Sequence, residues 1–138
     1  MNLISCAALA LLVGVLPASA DTFRAINWLN VSPITETEFE VVLKPGASPR
    51  GVWCAASDYS WRRLGRYKKT DLIVKTPAGP SVTQPEHNGV VFTIDPNQVE
   101  VTPTKSLTVT TKRVGASLSV GHAKMFCPLL PGPAYNWR

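Results

Sequence analysis

The sequence predicts an α+β domain in which a mainly antiparallel sheet of about five strands packs on one main helix, with one disulfide. Short stretches of alternating apolar and polar residues, separated by proline, glycine and asparagine, are typical of antiparallel strands. A single longer stretch, Trp53–Lys69, begins with apolar residues at helical spacing. Two cysteines, Cys54 and Cys127, lie within this alternating part of the chain. An all-β sandwich with a helical insertion is the alternative architecture.

The first twenty residues have the pattern of a secretory signal peptide. Met1–Ala20 carries no charged side chain, Leu3–Leu16 is apolar, and Ala18-Ser19-Ala20 forms a small-residue cleavage site before Asp21. The usual basic residue near the start is absent, so a membrane anchor is the alternative, although the apolar run is shorter than the roughly 20 residues of a membrane span. We expect a signal peptide over residues 1–20, a single secreted domain over 21–127 and a C-terminal tail over 128–138. No transmembrane segment should remain after cleavage.

The cysteines support export and a crosslink. Cys6 would leave with the signal peptide, so Cys54 and Cys127 remain as an even pair in an exported chain. A disulfide between them closes a long loop and, in the chain-entropy model, stabilises the fold by roughly 4 kcal/mol. The alternatives are a free reactive thiol or a metal site. A metal site would need more ligands than His87 and His122 offer, so we predict no metal and no cofactor.

The first half of the chain predicts two strands and the helix. Phe23, Ala25 and Trp28 fit one face of a first strand, and Pro33 suggests a bend over 31–34. Glu38–Leu43 alternates as a strand, with Glu36, Glu38 and Glu40 on one face that is either solvated or opposed to the basic run of a second molecule. For the helix, Ser48 and Pro49 fit an N-cap and first position, Gly51 favours a start nearer Val52, and Gly65 fits the C′ position. Asp58 and Arg62, four residues apart, should pair on the polar side of this helix.

The second half predicts three further strands and an ambiguous end. Asp71–Lys75 should be a strand closed by Pro77, Gly89–Ile94 is the most β-prone stretch, and Leu107–Thr111 alternates again. A short edge is expected over 99–101. Residues 115–127 fit either strand or helix, and we favour a short helix or turn over 120–126. The proline-rich tail carries Tyr135 and Trp137, which either pack back on the domain or form contacts.

Five basic residues lie within eight positions at the helix end, interleaved with aromatic residues. Such a run can bind anionic groups while the aromatic rings stack or lie at a lipid interface. The alternative is a solvated helix end, since cations near a helix C-terminus are favoured by the macrodipole. Trp28 and Trp61 either join the core or form an exposed aromatic patch. The candidate partner-binding residues are Trp61, Arg62, Arg63, Arg66, Tyr67, Lys68 and Lys69.

No motif points to catalysis. His122, Asp58 and a serine could be imagined as a hydrolase triad, but the chain has no G-x-S-x-G nucleophile motif. Asp95-Pro96-Asn97 fits a turn and lacks the acidic residues of a calcium loop. We therefore predict a protein that is not an enzyme.

Several short motifs resemble small secreted proteins of Gram-negative bacteria that have no assigned activity. The similar region spans Phe39–Cys127, and it implies a shared scaffold with paired cysteines, in or beyond the periplasm. The motifs are Trp53-Cys54-Ala55-Ala56, Leu64-Gly65, Val90-Val91-Phe92-Thr93, Val120-Gly121-His122-Ala123 and Phe126-Cys127.

The expected function is a small periplasmic or secreted binding module that does no chemistry. The net charge of +5 favours an acidic partner, such as an envelope component or an acidic protein, and in that location nucleic acid is not expected. The alternative is a structural or accessory component of a cell-envelope assembly, contacted through a sheet edge or the tail.

Overall fold

A computed structural model describes residues 21–133 and confirms the α+β class: a sheet of seven strands packs on one main helix and a short second helix. The expected signal peptide over 1–20, and Tyr135 and Trp137 of the tail, lie outside the described residues. Across the sheet the strand order is β1-β2-β3-β5-β4-β7-β6, with β6–β7 parallel and the other pairs antiparallel. The strands are β1 (Phe23–Arg24), β2 (Asn30–Pro33), β3 (Glu38–Val42), β4 (Asp71–Pro80), β5 (Asn88–Thr93), β6 (Thr104–Lys105) and β7 (Ala116–Ser119), and the helices are α1 (Pro49–Arg62) and α2 (Val120–Lys124).

Helix α1 begins where its capping residues predict. The Ser48 side chain accepts a hydrogen bond from the Gly51 amide (3.1 Å), and Pro49 is the first helical residue, so Gly51 does not delay the start to Val52. Arg63 is the C-cap, which places Gly65 one position later than expected. Gly65 has a φ of +63°, which a residue without a Cβ adopts at little cost.

Helix α1 is buried on more than its apolar side. Asp58 is only 2% exposed. Its carboxylate accepts hydrogen bonds from the Ile26 amide (2.8 Å) and from the Arg62 guanidinium (Nε to Oδ1, 2.9 Å). The predicted pairing with Arg62 is thus confirmed, but a solvent-facing position for Asp58 is wrong. The N-terminal segment covers Asp58, and its Ile26 amide is one of the hydrogen-bond donors to this carboxylate.

The core lies between α1 and one face of the sheet. Trp53, Phe39 and Phe92 are fully buried, and the Trp53 and Phe92 ring centroids are 4.9 Å apart. The Trp53 indole N–H donates to the Thr110 carbonyl at 3.2 Å, so its polar atom is satisfied. Burying one such side chain stabilises the fold by about 2–3 kcal/mol.

The predicted disulfide is present. Cys54, fully buried on α1, is bonded to Cys127 with an Sγ–Sγ distance of 2.11 Å. Cys127 follows α2, so the bridge fastens the end of the domain to the middle of α1.

Two prolines occur within strands, where the sequence suggested a bend or a stop. Pro33 belongs to β2, opposite Phe39. The Ile34 amide bonds to the Glu38 carbonyl, so by alternation the Pro33 nitrogen points away from β3 and no ladder bond is lost. Strand β4 continues through Pro77, which sits where the β4–β5 register shifts between Thr76 and Gly79. Proline is tolerated at such an irregularity.

The region after residue 95 also differs from expectation. Residues 99–101 and Leu107–Thr111 form no strand, and the Leu107 side chain is fully exposed. Residues 115–127, which fitted either a strand or a helix, contain strand β7 followed by helix α2. Ser119 is the last residue of β7 and the N-cap of α2, where its side chain accepts a hydrogen bond from the His122 amide at 3.2 Å.

The second face of the sheet contains two buried acidic residues of β3. Glu38 is paired with Lys75, whereas Glu40 is 1% exposed. Glu40 accepts from the hydroxyls of Ser81 and Thr83 and from the amides of Val82 and Thr83. The predicted solvent face is therefore wrong for both residues, because Lys75 of β4 pairs with Glu38 and the loop after β4 covers Glu40.

The buried phenol of Tyr59 predicts a loss of stability at alkaline pH. Burial raises the pKa of Tyr59 above its ordinary value of 10.0, and the charge of Arg63 partly opposes this. Its contribution to stability is therefore complete below pH 10 and is lost as the pH rises through the folded-state pKa. We expect the Tyr59→Phe variant to lose less stability than the parent between about pH 9 and 11, measured by urea unfolding. An equal loss in both proteins would contradict this.

Candidate functional site: a basic and aromatic surface

The end of α1 and the loop that follows it present the predicted binding residues together. Trp61 is half-buried, and the other six residues, from Arg62 to Lys69, are exposed. The short helix α2 holds this loop in place: the Val120 amide donates to the Thr70 carbonyl at 2.8 Å, and the Gly121 amide donates to the Lys68 carbonyl at 3.2 Å. A Cβ on residue 121 would lie 3.2 Å from that Lys68 oxygen, so glycine permits the close approach.

Two of the predicted arginines have structural roles. The Arg62 guanidinium forms an ion pair with Asp58 at 2.5 Å and lies 4.6 Å from the centre of the Phe23 ring. Its hydrogen bond to Asp58 raises the pKa of Arg62 further, so its charge is retained at all accessible pH values. Arg63 lies over the same Phe23 ring at 5.3 Å. These contacts give both arginines a role within the fold itself, which neither the binding hypothesis nor a solvated helix end predicted.

The other three cations differ from these two arginines. Arg66, Lys68 and Lys69 are exposed and form no ion pair within residues 21–133. Because no acidic side chain pairs with it, an exposed cation of this kind remains available to attract an external anion. These three are the strongest of the predicted binding residues.

Trp61 links the loop to α2 through aromatic and cationic contacts. The Tyr67 ring stands edge-on to Trp61, with centroids 5.3 Å apart. On α2, the Lys124 ammonium lies 4.5 Å from the Trp61 ring centre, within the range of a cation–π interaction. Tyr67 itself is 58% exposed. Lys124 therefore belongs to the site, although it is far from the basic run in sequence.

Three neighbouring clefts make this surface continuous. The first, of about 550 Å³, is lined by Arg66, Tyr67, Lys68 and Lys69. It shares Trp61 and Lys68 with a second cleft of about 500 Å³, and the second shares Lys124 with a third of about 430 Å³. We call this surface the basic strip; its cations are Arg24, Arg62, Arg66, Lys68, Lys69 and Lys124, and its aromatic residues are Trp28, Trp61 and Tyr67.

The N-terminal segment completes the third cleft. The Arg24 guanidinium lies 5.0 Å from the centre of the Trp28 ring, and Trp28 is 40% exposed in a left-handed backbone conformation (φ 66°). Of the described residues that line these three clefts, one is acidic: Asp58, in the third cleft, which is already paired with Arg62. The strip therefore presents a strongly positive surface. Of its members outside the run, the sequence offered Trp28 as a candidate exposed aromatic residue but gave no signal for Arg24 or Lys124.

The arrangement does not assemble the imagined triad. His122 lines the second cleft and Asp58 the third, and no hydrogen bond joins them. Within residues 21–133, no three histidine, cysteine or acidic side chains are grouped so as to hold a metal ion. Neither described helix has the length and apolar character needed to cross a membrane.

Comparison with protein-family models, with curated proteins and with solved structures finds no significant match to this chain.

Proposed function

We propose that the protein is a small exported binding module that does no chemistry and recognises an acidic partner through the basic strip. One observation carries the proposal: five cations without an acidic partner in the described residues and three aromatic rings line three contiguous clefts, and the acidic residue there, Asp58, is already paired with the sixth cation, Arg62. Clustered like charges repel one another, and a partner of opposite charge relieves this repulsion when it binds.

The chemistry of the strip suits an anionic group beside an apolar or planar one. Lysine and arginine side chains attract carboxylates and phosphates, and the exposed faces of Trp28 and Tyr67 offer apolar contact next to them. Export is supported by the pattern of residues 1–20 and by the Cys54–Cys127 bridge. In the periplasm or outside the cell, the partner would be an acidic envelope component or protein rather than nucleic acid.

Neutralising the three unpaired cations of the loop should weaken binding. We expect the Arg66→Gln/Lys68→Gln/Lys69→Gln variant to bind polyglutamate, and vesicles containing anionic lipid, at least about tenfold less tightly at low salt. Added salt should weaken the parent in the same way, because it screens exposed charges. Microscale thermophoresis for the peptide and vesicle co-sedimentation measure the two affinities. Stability should change by less than about 0.5 kcal/mol per substitution.

A matched control separates the strip from net charge alone. The Lys105→Gln/Lys112→Gln/Arg113→Gln variant removes the same charge from exposed positions outside the three clefts. It should bind nearly as well as the parent. Equal loss in both triple variants would reduce the effect to net charge, and no loss in the first would leave the loop a solvated helix end.

A further inference from the structure

The segment after the disulfide presents two leucines to solvent from a fixed backbone. It is held at one end by the Cys127 bridge and at the other by a hydrogen bond from the Gly132 amide to the Ile26 carbonyl, at 3.0 Å. Between these two attachments, Leu129 is 99% exposed and Leu130 is 77% exposed. Two leucines exposed to this extent leave apolar surface in water, which is unfavourable unless a partner covers it.

These leucines border the basic strip. Pro131, the next residue, lines the third cleft together with Arg24, Trp28 and Lys124. Met125, which is 80% exposed, lines the second cleft beside Lys124. Met125 and Lys124 therefore line the same cleft, and the two leucines directly precede a residue that lines the next one.

Other exposed apolar residues do not share this setting. Leu107 and Val82 are exposed, but neither they nor the residues next to them in sequence line any of the three clefts, whereas Leu130 directly precedes Pro131 of the third. Val82 belongs to the loop that covers Glu40, on the sheet face opposite α1. Single exposed apolar residues are ordinary on protein surfaces and indicate no partner.

We propose that the basic strip docks on a lipid bilayer containing anionic phospholipid, with Leu129, Leu130 and Met125 inserted among the upper acyl chains. This inference rests on the proposed function and names its partner. A side chain that is 99% exposed has almost no protein around it, so a protein partner would need a matching pocket, whereas fluid hydrocarbon accommodates any protruding shape. Cations then lie at headgroup level, and Trp28 and Tyr67 suit the same interface.

The test separates insertion from charge. The parent is mixed with phosphatidylcholine vesicles with and without phosphatidylglycerol, and binding is measured by co-sedimentation. Tryptophan quenching by brominated lipid reports insertion. We expect the Leu129→Ser/Leu130→Ser variant to lose about tenfold or more in partitioning, with polyglutamate binding unchanged. The Leu107→Ser/Val82→Ser variant, which removes two exposed apolar residues elsewhere, should partition like the parent. Circular dichroism confirms that each variant is folded.

Each contrary result has a different meaning. If the Leu129→Ser/Leu130→Ser variant partitions like the parent, insertion is wrong, while the proposed function stands as long as the cation variant weakens polyglutamate binding. If the parent binds polyglutamate but not anionic vesicles, the partner is an acidic protein and the bilayer inference is overturned. If the cation variant binds both probes like the parent, the proposed function itself falls.

Discussion

Replacing Cys54 and Cys127 together by alanine is expected to lower the free energy of unfolding by about 4 kcal/mol. The two residues are 73 positions apart, so the bridge removes much conformational freedom from the unfolded chain. In the folded state the bridge also holds the chain after α2 against α1. A loss of this size is a large fraction of the 5–15 kcal/mol that is typical of a domain.

Urea unfolding of the oxidised parent and of the alanine variant measures this difference. Thiol labelling of the denatured, unreduced parent without its first twenty residues should find no free cysteine. Reduction should also weaken binding to anionic vesicles, because Lys124 lies on α2, three residues before the bridge. Equal unfolding midpoints for parent and variant would show that the bridge contributes little.

Replacing Glu40 by alanine is expected to destabilise the domain by about 3 kcal/mol. The Glu40 carboxylate accepts from the Thr83 hydroxyl at 2.6 Å and the Val82 amide at 2.8 Å, and also from Ser81. Without it, these donors lose their shared acceptor, and a void opens next to Gly89. A Cβ at residue 89 would lie 2.6 Å from the Glu40 carboxyl carbon, so the glycine leaves room for this carboxylate.

The matched control is Glu36→Ala, which removes an exposed glutamate two positions before β3 and should change stability by less than about 0.5 kcal/mol. The Glu40→Gln variant keeps the size of the side chain and one acceptor oxygen, so its loss should lie between the two. Thermal and urea unfolding of the three variants provide the comparison. A Glu40→Ala variant as stable as Glu36→Ala would contradict a structural role for this carboxylate.

The contrast between exposed Glu36 and buried Glu40 shows why the fold class was predictable from the sequence, whereas the loop that covers the polar side of β3 was not. Alternation reports that side chains point to opposite sides of a strand, and it placed Phe39 and Val41 correctly on the α1 side. It cannot report whether a later loop covers the polar side. That cover comes from residues 81–83, about forty positions away, and its hydrogen bonds make a buried glutamate favourable.

The strand predicted over Leu107–Thr111 is absent because polar groups in and beside this segment have other hydrogen-bond partners. Leu107–Thr111 alternates like a strand, but the Ser106 hydroxyl bonds locally to Thr108. The Thr110 carbonyl accepts from the Trp53 indole and the Thr111 carbonyl from the Ala78 amide. Hydrogen bonds from side chains such as Ser106 and Trp53 compete with the backbone bonds of a β-ladder. No pattern within the segment reveals them.

The candidate site divides in the same way. The basic run was visible because its members are neighbours in sequence, and the helix end with Gly65 explained why they are presented together. Lys124 reaches Trp61 only because α2 packs against the 66–70 loop, and Arg24 joins the strip through the packing of the N-terminal segment. Proximity of this kind depends on the tertiary fold, which one sequence without homologues does not give.

The sheet ends on both sides in strands of two residues, β1 and β6. Such short edges offer few free N–H and C=O groups to a strand from another molecule, which is one way in which proteins avoid edge-to-edge aggregation. The same feature argues against assembly through a sheet edge. If this protein does join a larger envelope structure, side-chain surfaces such as the basic strip are better suited to making the contact than strand addition.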